Sequence, residues 1–446
     1  MPQLRSLRRR FACLFLAGVF CFGSARGQES SIEPLVAALR SGDESARLEA
    51  ARALGEAGDK AASDALYAAL RDASSMVGLE AASALRKLGW TPGNRGEEVA
   101  FLLATEEWSQ LSDLGPEGVD LMIEELQRTG SGLMAESVKA LGVAGDTRAV
   151  MPIIEVLRSG DRAPRLKAAW SLGRLRDARA VEPLIVSMED ENLWLRRDSA
   201  WALAEIGDPR AVKHLVLRLA DESQHVQKRA VQSISQFHGP EVAPLVLPYL
   251  KNDRESVRMF AAQTLGYLRD ASALERLQAA LADSSHYVRT WAAWALGEIG
   301  DPRAESSLVA NLTDWSSSLK VAEALDNLGW DAATDADRIH DLVARSRGAE
   351  LRESWDLARA VLLDDVRSGD YRVVENALFA FIGLGREEMI SVLTDVLSEE
   401  GTRTMAEAYL HCGHDALASA AQAWAEGNGE RIETRAGGTK VRWGSF

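Results

Sequence analysis

Cysteine is nearly missing from this chain. Of three in 446 residues, Cys13 and Cys21 lie in the N-terminal segment and only Cys412 lies in the body. A chain left with one cysteine forms no internal disulfide, so its fold rests on core burial. Histidine is also sparse: seven residues, scattered except for His411-Cys412-Gly413-His414. There is no Cys-x-x-Cys pair, no haem-attachment motif, no phosphate-binding glycine loop and no Gly-x-Ser-x-Gly elbow. The sequence therefore points to no catalytic residue, no cofactor and no metal site. The His-Cys-Gly-His cluster reads as structural, because Cys412 falls where the repeats below place an apolar side chain. Basic residues are outnumbered, 51 against 66, for a formal net charge of −15. That balance argues against general binding to nucleic acid or anionic membranes. Beyond the N-terminus no apolar run reaches the ~18–20 residues of a spanning helix, and no long segment is polar enough to read as disordered.

The N-terminus has the pattern of a secretory signal. Arg5, Arg8, Arg9 and Arg10 precede an apolar run from Phe11 to Phe22, and Gly23, Ser24 and Ala25 lead to a cleavage point before Gln28. Arg8-Arg9-Arg10-Phe11 also loosely fits a twin-arginine signal. The expectation is an exported protein of the periplasm or cell envelope, touching a membrane only if the signal stays uncleaved. Removal of residues 1–27 takes away five arginines and no acid, leaving 46 basic against 66 acidic residues, a charge of −20.

What is present is a repeat. The string Ala-Leu-Gly-Glu-Ile-Gly-Asp-Pro-Arg-Ala at 295–304 recurs in variant form. Its leucine marks anchors at Leu54, Leu85, Leu141, Leu172, Leu203, Ile234, Leu265, Leu296, Leu325, Phe381 and Tyr409. Six of the ten intervals have the same length, 31; two are 56, and the remaining two are 29 and 28. Each unit reads as two helices, A and B. Helix B runs from about eight residues before the anchor to three after it. Its positions −8, −4, −1, 0 and +3 share one arc, as Val288, Ala292, Ala295, Leu296 and Ile299 illustrate. Gly300 reads as a left-handed stop, Asp301 as the cap of the next helix, and Pro302 as a first-turn residue. Pro152, Pro183 and Pro244 fall inside helix A, where they are expected to bend it. Small residues at −4, −3 and +1 permit close helix approach.

The pattern Val-Arg-x-x-Ala-Ala-x-Ala-Leu-Gly-x-Ile-Gly-Asp-Pro-Arg-Ala-Val, seen at 288–304 and 195–212, resembles the bacterial HEAT-like repeats of the phycobilin lyase type, over nearly all of 32–425. The resemblance implies an all-α, right-handed solenoid of about eleven helix pairs with B helices lining a concave face. It also implies that Asp and Arg of Gly-Asp-x-Arg are links between repeats. Two insertions of about 25 residues follow Leu88-Gly89-Trp90 and Leu328-Gly329-Trp330, and read as packed adaptors, with functional loops as the alternative. The organisation is a signal at 1–27, repeats with the first insert at 28–115, a regular array at 116–330, the second insert and last repeats at 331–426, and a tail at 427–446. The tail reads as a hairpin folded on Gly437-Gly438 that caps the last repeat, with a disordered tail as the alternative, since an isolated hairpin is marginal.

Positions −6, −5, −2 and +2 of helix B lie opposite the apolar arc and are expected to be exposed. Yet −2 carries Trp170, Trp201 and Trp294, −5 carries Phe260 and Trp291, and +2 carries Tyr267. Trp194 and Tyr287, at −9, fall on the same line, with Lys167, Arg174, Arg197, Lys228 and Arg229 among the rings. Large aromatics on an exposed face mark a recognition surface; packing against neighbouring B helices is the competing reading. The functional expectation is a scaffold or adaptor that binds a protein or peptide, with a glycan stacked on the rings as an alternative. Resemblance to phycobilin lyases implies a second alternative, a lyase-like enzyme or chaperone, on repeat-level analogy alone.

Overall fold

The computed structural model describes residues 32–128, 131–159, 161–432 and 441–446. The expected signal at 1–27 and the turn of the expected hairpin lie outside the described residues. Among the described residues there is helix and no strand, and no helix is long and apolar enough to cross a membrane.

Eleven B helices carry the eleven anchors: α1 (Glu44–Ala57), α2 (Ser75–Lys87), α3 (Met134–Ala144), α4 (Arg162–Leu175), α5 (Leu193–Ile206), α6 (Gln224–Ile234), α7 (Glu255–Leu268), α8 (His286–Ile299), α9 (Ser318–Leu328), α10 (Tyr371–Leu384) and α11 (Arg403–His411). Every anchor is 0% exposed, so the period read from the sequence is the period of the core. The fold is an α-solenoid. The described residues form two compact units, one up to residue 140 and one from residue 141.

In the first unit α1 packs on α2. The insert after Gly89 forms helices Arg95–Ala104 and Trp108–Asp113. Val99 and Leu103 are buried, and Trp90 lies between Tyr67 and Phe101 at 6.0 and 5.6 Å. In the second unit, consecutive B helices from α4 to α9 pack on one another, and the A helices cover them from one side. The second insert forms helices Asp335–Ala344 and Gly348–Glu353 and buries Ile339, Val343 and Leu351. Both inserts are thus packed helix pairs. The tail segment 441–446 docks on the last repeats: Trp443 N donates to Cys412 O at 2.8 Å, and Phe446 N donates to Gly383 O at 2.8 Å.

B helices stop where the sequence says they should. Gly207 and Gly300 take φ of 73° and 70°, and Asp208 and Asp301 then accept the backbone N–H of Arg210 and Arg303 at 2.9 Å. At the same stop position Arg176 and Arg269 hold φ of 52°, a conformation that costs a side-chain-bearing residue roughly 1–2 kcal/mol. The Gly-Asp-x-Arg pairs are mainly local, Arg returning to its own Asp (2.7 Å for Arg210–Asp208). Arg179 and Arg210 also reach the preceding repeat, donating to Thr147 O and Ala178 O at 3.0 and 3.3 Å. The prolines correct an expectation. Pro152, Pro183 and Pro244 are each the third residue of an α-helix, at Val150–Ser159, Val181–Ser187 and Val242–Val246. Within a first turn the missing N–H has no intrahelical acceptor to lose, so no mid-helix break results.

A stronger link between repeats was not read from the sequence. Position −7 of helix B is arginine in α1, α4, α5, α7 and α8. Each reaches an aspartate 25 residues on, at the A–B turn of the next repeat: Arg47–Asp72, Arg165–Asp190, Arg196–Asp221, Arg258–Asp283 and Arg289–Asp314. Arg196 makes both bonds at 2.9 Å. The same aspartate accepts the N–H two residues later, at 2.9 Å for Ser223 N on Asp221. One carboxylate thus starts its own helix and holds the previous one. In α6 the two matching positions hold Gln227 and Asn252. Gln227 instead donates to Leu219 O at 2.9 Å.

Removing one member of a buried pair strands the other, at a cost of about 3–5 kcal/mol. Arg196→Ala, which leaves the 7%-exposed Asp221 only the more distant Arg218 at 3.7 Å, should cost toward the lower end of that range in chemical denaturation. Arg196→Gln with Asp221→Asn copies the combination at Gln227 and Asn252 and should recover a large part of it. A double variant no more stable than either single substitution would refute this. Acid should act on the same links. Burial is the largest influence on the Asp283 and Asp314 carboxyls and would raise them, but the hydrogen bonds from Arg258 and Arg289, together with those from Ser285, Ser316 and Ser317 and the arginine charges, hold both below the usual range. Asp301 is held at about 2 by Arg303. Depressed carboxyls contribute stability above their unfolded pKa, near ~3.9, that is lost as pH falls through the folded values. Melting temperature should therefore hold steady down to about pH 5 and fall between about pH 4 and 2.

Candidate partner-binding face

The rings of α4, α5, α7 and α8 sit where two packing demands meet. Position +1 of a B helix is glycine in α4, α7 and α8 because the next B helix crosses it closely. A Cβ on Gly173 would lie 2.8 Å from the Trp201 ring and from Ala202 Cα; one on Gly266 would run into the Trp294 ring. The −2 tryptophan of one repeat therefore lies over the +1 glycine of the repeat before. Trp170 and Trp201 stack, with centroids 6.5 Å apart and planes 13° apart. Trp294 meets Tyr267 edge-on at 5.0 Å and Trp291 at 5.2 Å. Trp170, Trp201, Trp291 and Trp294 are all half-buried, so packing and exposure hold together for these four rings.

Phe260 is a correction: at 3% exposure it is core, not surface. Position −5 is only about 40° from the edge of the apolar arc, and α7 is flanked by both α6 and α8, which widens its covered side. The most open rings are Trp194, Tyr267 and Tyr287, at 36%, 47% and 53%. Lys167 and Arg197 are half-buried. Arg197 lies over the Trp194 ring at 4.6 Å and donates to Asp198 at 2.8 Å.

Two histidines of this face escaped the sequence reading. His225 lies 5.5 Å from Trp194 and His286 lies 3.9 Å from Tyr287. His225 is the −9 residue of its own repeat, so reading the Trp194–Tyr287 column through every unit finds it. Arg229 is half-buried and its Nε has no partner among the described residues. Burial, then the neighbouring Arg197, pushes its pKa below the ordinary arginine value. Gln232 and Gln263, at −2 of α6 and α7, separate the two ring clusters. Elsewhere, Cys412 is buried, its thiol donates to Tyr409 O at 3.1 Å, and burial pushes its pKa up. Among the described residues no group of three or more His, Cys, Asp or Glu is arranged to hold a metal.

A sequence profile of HEAT repeats matches residues 32–105, 119–200, 150–235, 183–259, 212–286 and 243–329. No curated protein matches the chain. Solved structures similar to it include the CpcE–CpcF complex of phycocyanin lyase from Nostoc sp. PCC7120, at 21% identity, covering 69% of this chain and 98% of that one, TM-score 0.24. The Escherichia coli YibA protein is 17% identical over 70% of this chain and 100% of that one, TM-score 0.37. Kap121p bound to Pho4p is 12% identical over 91% of this chain and 53% of that one, TM-score 0.46.

The close crossing is directly testable. Gly266→Ala forces its new methyl against the Trp294 ring and the Ala295 backbone, the latter 2.9 Å away. It should destabilise the array by about 1–3 kcal/mol and shift tryptophan fluorescence. Gly427→Ala, where nothing lies within 4 Å of the new Cβ, should do neither.

Proposed function

Because this chain belongs to the HEAT-repeat family, we propose that it is a binding scaffold rather than an enzyme, engaging a protein or peptide through the B-helix face of α4–α8. The observation that carries the reading is the set of open rings on one arc of that face: Trp194, Tyr267 and Tyr287 are exposed beside half-buried Trp170, Trp201, Trp291 and Trp294. Large rings of this kind are the side chains that dominate binding energy at interfaces, where they anchor in desolvated pockets. The leader pattern adds a place of action, the periplasm or cell envelope after removal of 1–27. N-terminal sequencing of the secreted form should begin at Gln28.

A photo-crosslinking residue placed at Trp194, Tyr267 or Tyr287 should trap one common partner in the native extract. The same residue at Val186, 72% exposed on an A helix, should not trap it. Equal crosslinking from both sides would remove this face from consideration.

A further inference from the structure

The charges on the face say what kind of peptide fits. On the exposed columns of α4–α8 the cations are Lys167, Arg174, Arg197, Lys228 and Arg229, all on α4–α6. Three acids share those columns, and each is held by an arginine: Asp198 by Arg197, Glu205 by Arg176 at 2.6 Å, and Glu298 by Arg269. Lys228 and Arg174 are exposed, and Arg229 keeps its unmatched Nε. The surface is also rich in donors. The indole N–H groups of Trp170, Trp194, Trp201, Trp291 and Trp294 have no acceptor among the described residues. A cation-bearing, donor-rich face on a chain of net charge −15 is built for carboxylates and carbonyl oxygens. The α7–α8 half carries no free charge and offers Tyr267, Tyr287, Trp291 and Trp294.

We propose that the occupant is an extended peptide of two parts, an acidic block seated over α4–α6 and an apolar or aromatic block over α7–α8. This rests on the B-helix face being the binding surface. Four helix-to-helix steps of about 10 Å give roughly 40 Å, the reach of about 12 extended residues. Glutamines at the −2 positions of α6 and α7 both donate and accept, as a peptide backbone between the blocks requires. An acidic sugar polymer fits less well, because sugars stack on open ring faces. Here Trp170 and Trp201 face each other, and Trp194 is covered by Arg197 and His225.

The test is a random dodecapeptide display library panned on the full chain. The selected peptide is then measured by fluorescence anisotropy. Expected are sequences with an acidic block beside an apolar block, whose Kd rises at least tenfold on the Arg174→Glu/Lys228→Glu variant and with added salt. Both sites are exposed, and circular dichroism checks that the variant folds. Selected peptides without acids, or with affinity unchanged in that variant, would overturn this inference and leave the scaffold reading standing. No enrichment over a Trp194→Ala/Tyr267→Ala/Tyr287→Ala variant would take down both. Displacement of the peptide by heparin or oligo-dT at lower concentration than by the unlabelled peptide would assign the face to another polyanion and overturn the peptide.

Discussion

A guanidinium on one B helix bonded to the carboxylate that starts the next is the constraint from which the regular array follows. Arg196 and Asp221, at 5% and 7% exposure, are too deep to be spectators. Each rung fixes the spacing of two repeats and the entry of the second helix at once, because the aspartate also accepts a backbone N–H. A length change between arginine and aspartate would uncouple those two tasks, and the 25-residue separation is kept in all five rungs. The inserts after Gly89 and Gly329 fall where no such rung crosses, so they add helices without breaking one.

The rungs bring B helices close enough that a side chain at +1 would collide with the next helix. Glycine answers that at positions 173 and 266, and a tryptophan ring fills the space above it. The same rings that make the face aromatic are therefore part of the stack. Their binding role and their packing role are carried by different portions of one indole, and the open rings Trp194, Tyr267 and Tyr287 lie over no +1 glycine.

The periodic part of the fold was legible because burial repeats: all eleven anchors read as core and all are core. The rungs were not legible, since Arg196 and Asp221 have the composition of a solvated surface and their pairing spans most of a repeat. Exposure was read well for Tyr267 and Tyr287 and wrongly for Phe260. A helical wheel has one buried arc, whereas a helix in a stack is covered on both flanks as well, so residues near the arc's edge sink first. The Gly-Asp-x-Arg residues were read as links between repeats, but the local Asp–Arg bond dominates, and Arg179 and Arg210 reach the preceding repeat while Arg303 stays on Asp301.

The α6 repeat joins stability to recognition. Its rung positions hold the neutral Gln227 and Asn252, and its helix ends at Ile234 without a left-handed stop. Asp221 at its start is held by Arg196, but the rung from α6 to the next repeat uses neither an arginine nor an aspartate. Its cations sit one and two positions later, at Lys228 and Arg229, and turn to the exposed columns. Burial, then the charge of Arg197, pushes the pKa of Arg229 down, against a smaller opposing pull from Asp198. A guanidinium held in this way gains more from an incoming carboxylate than one already paired, because the bond relieves an existing cost. The weakest rung of the stack is thus also the place where the face has most to gain from a partner.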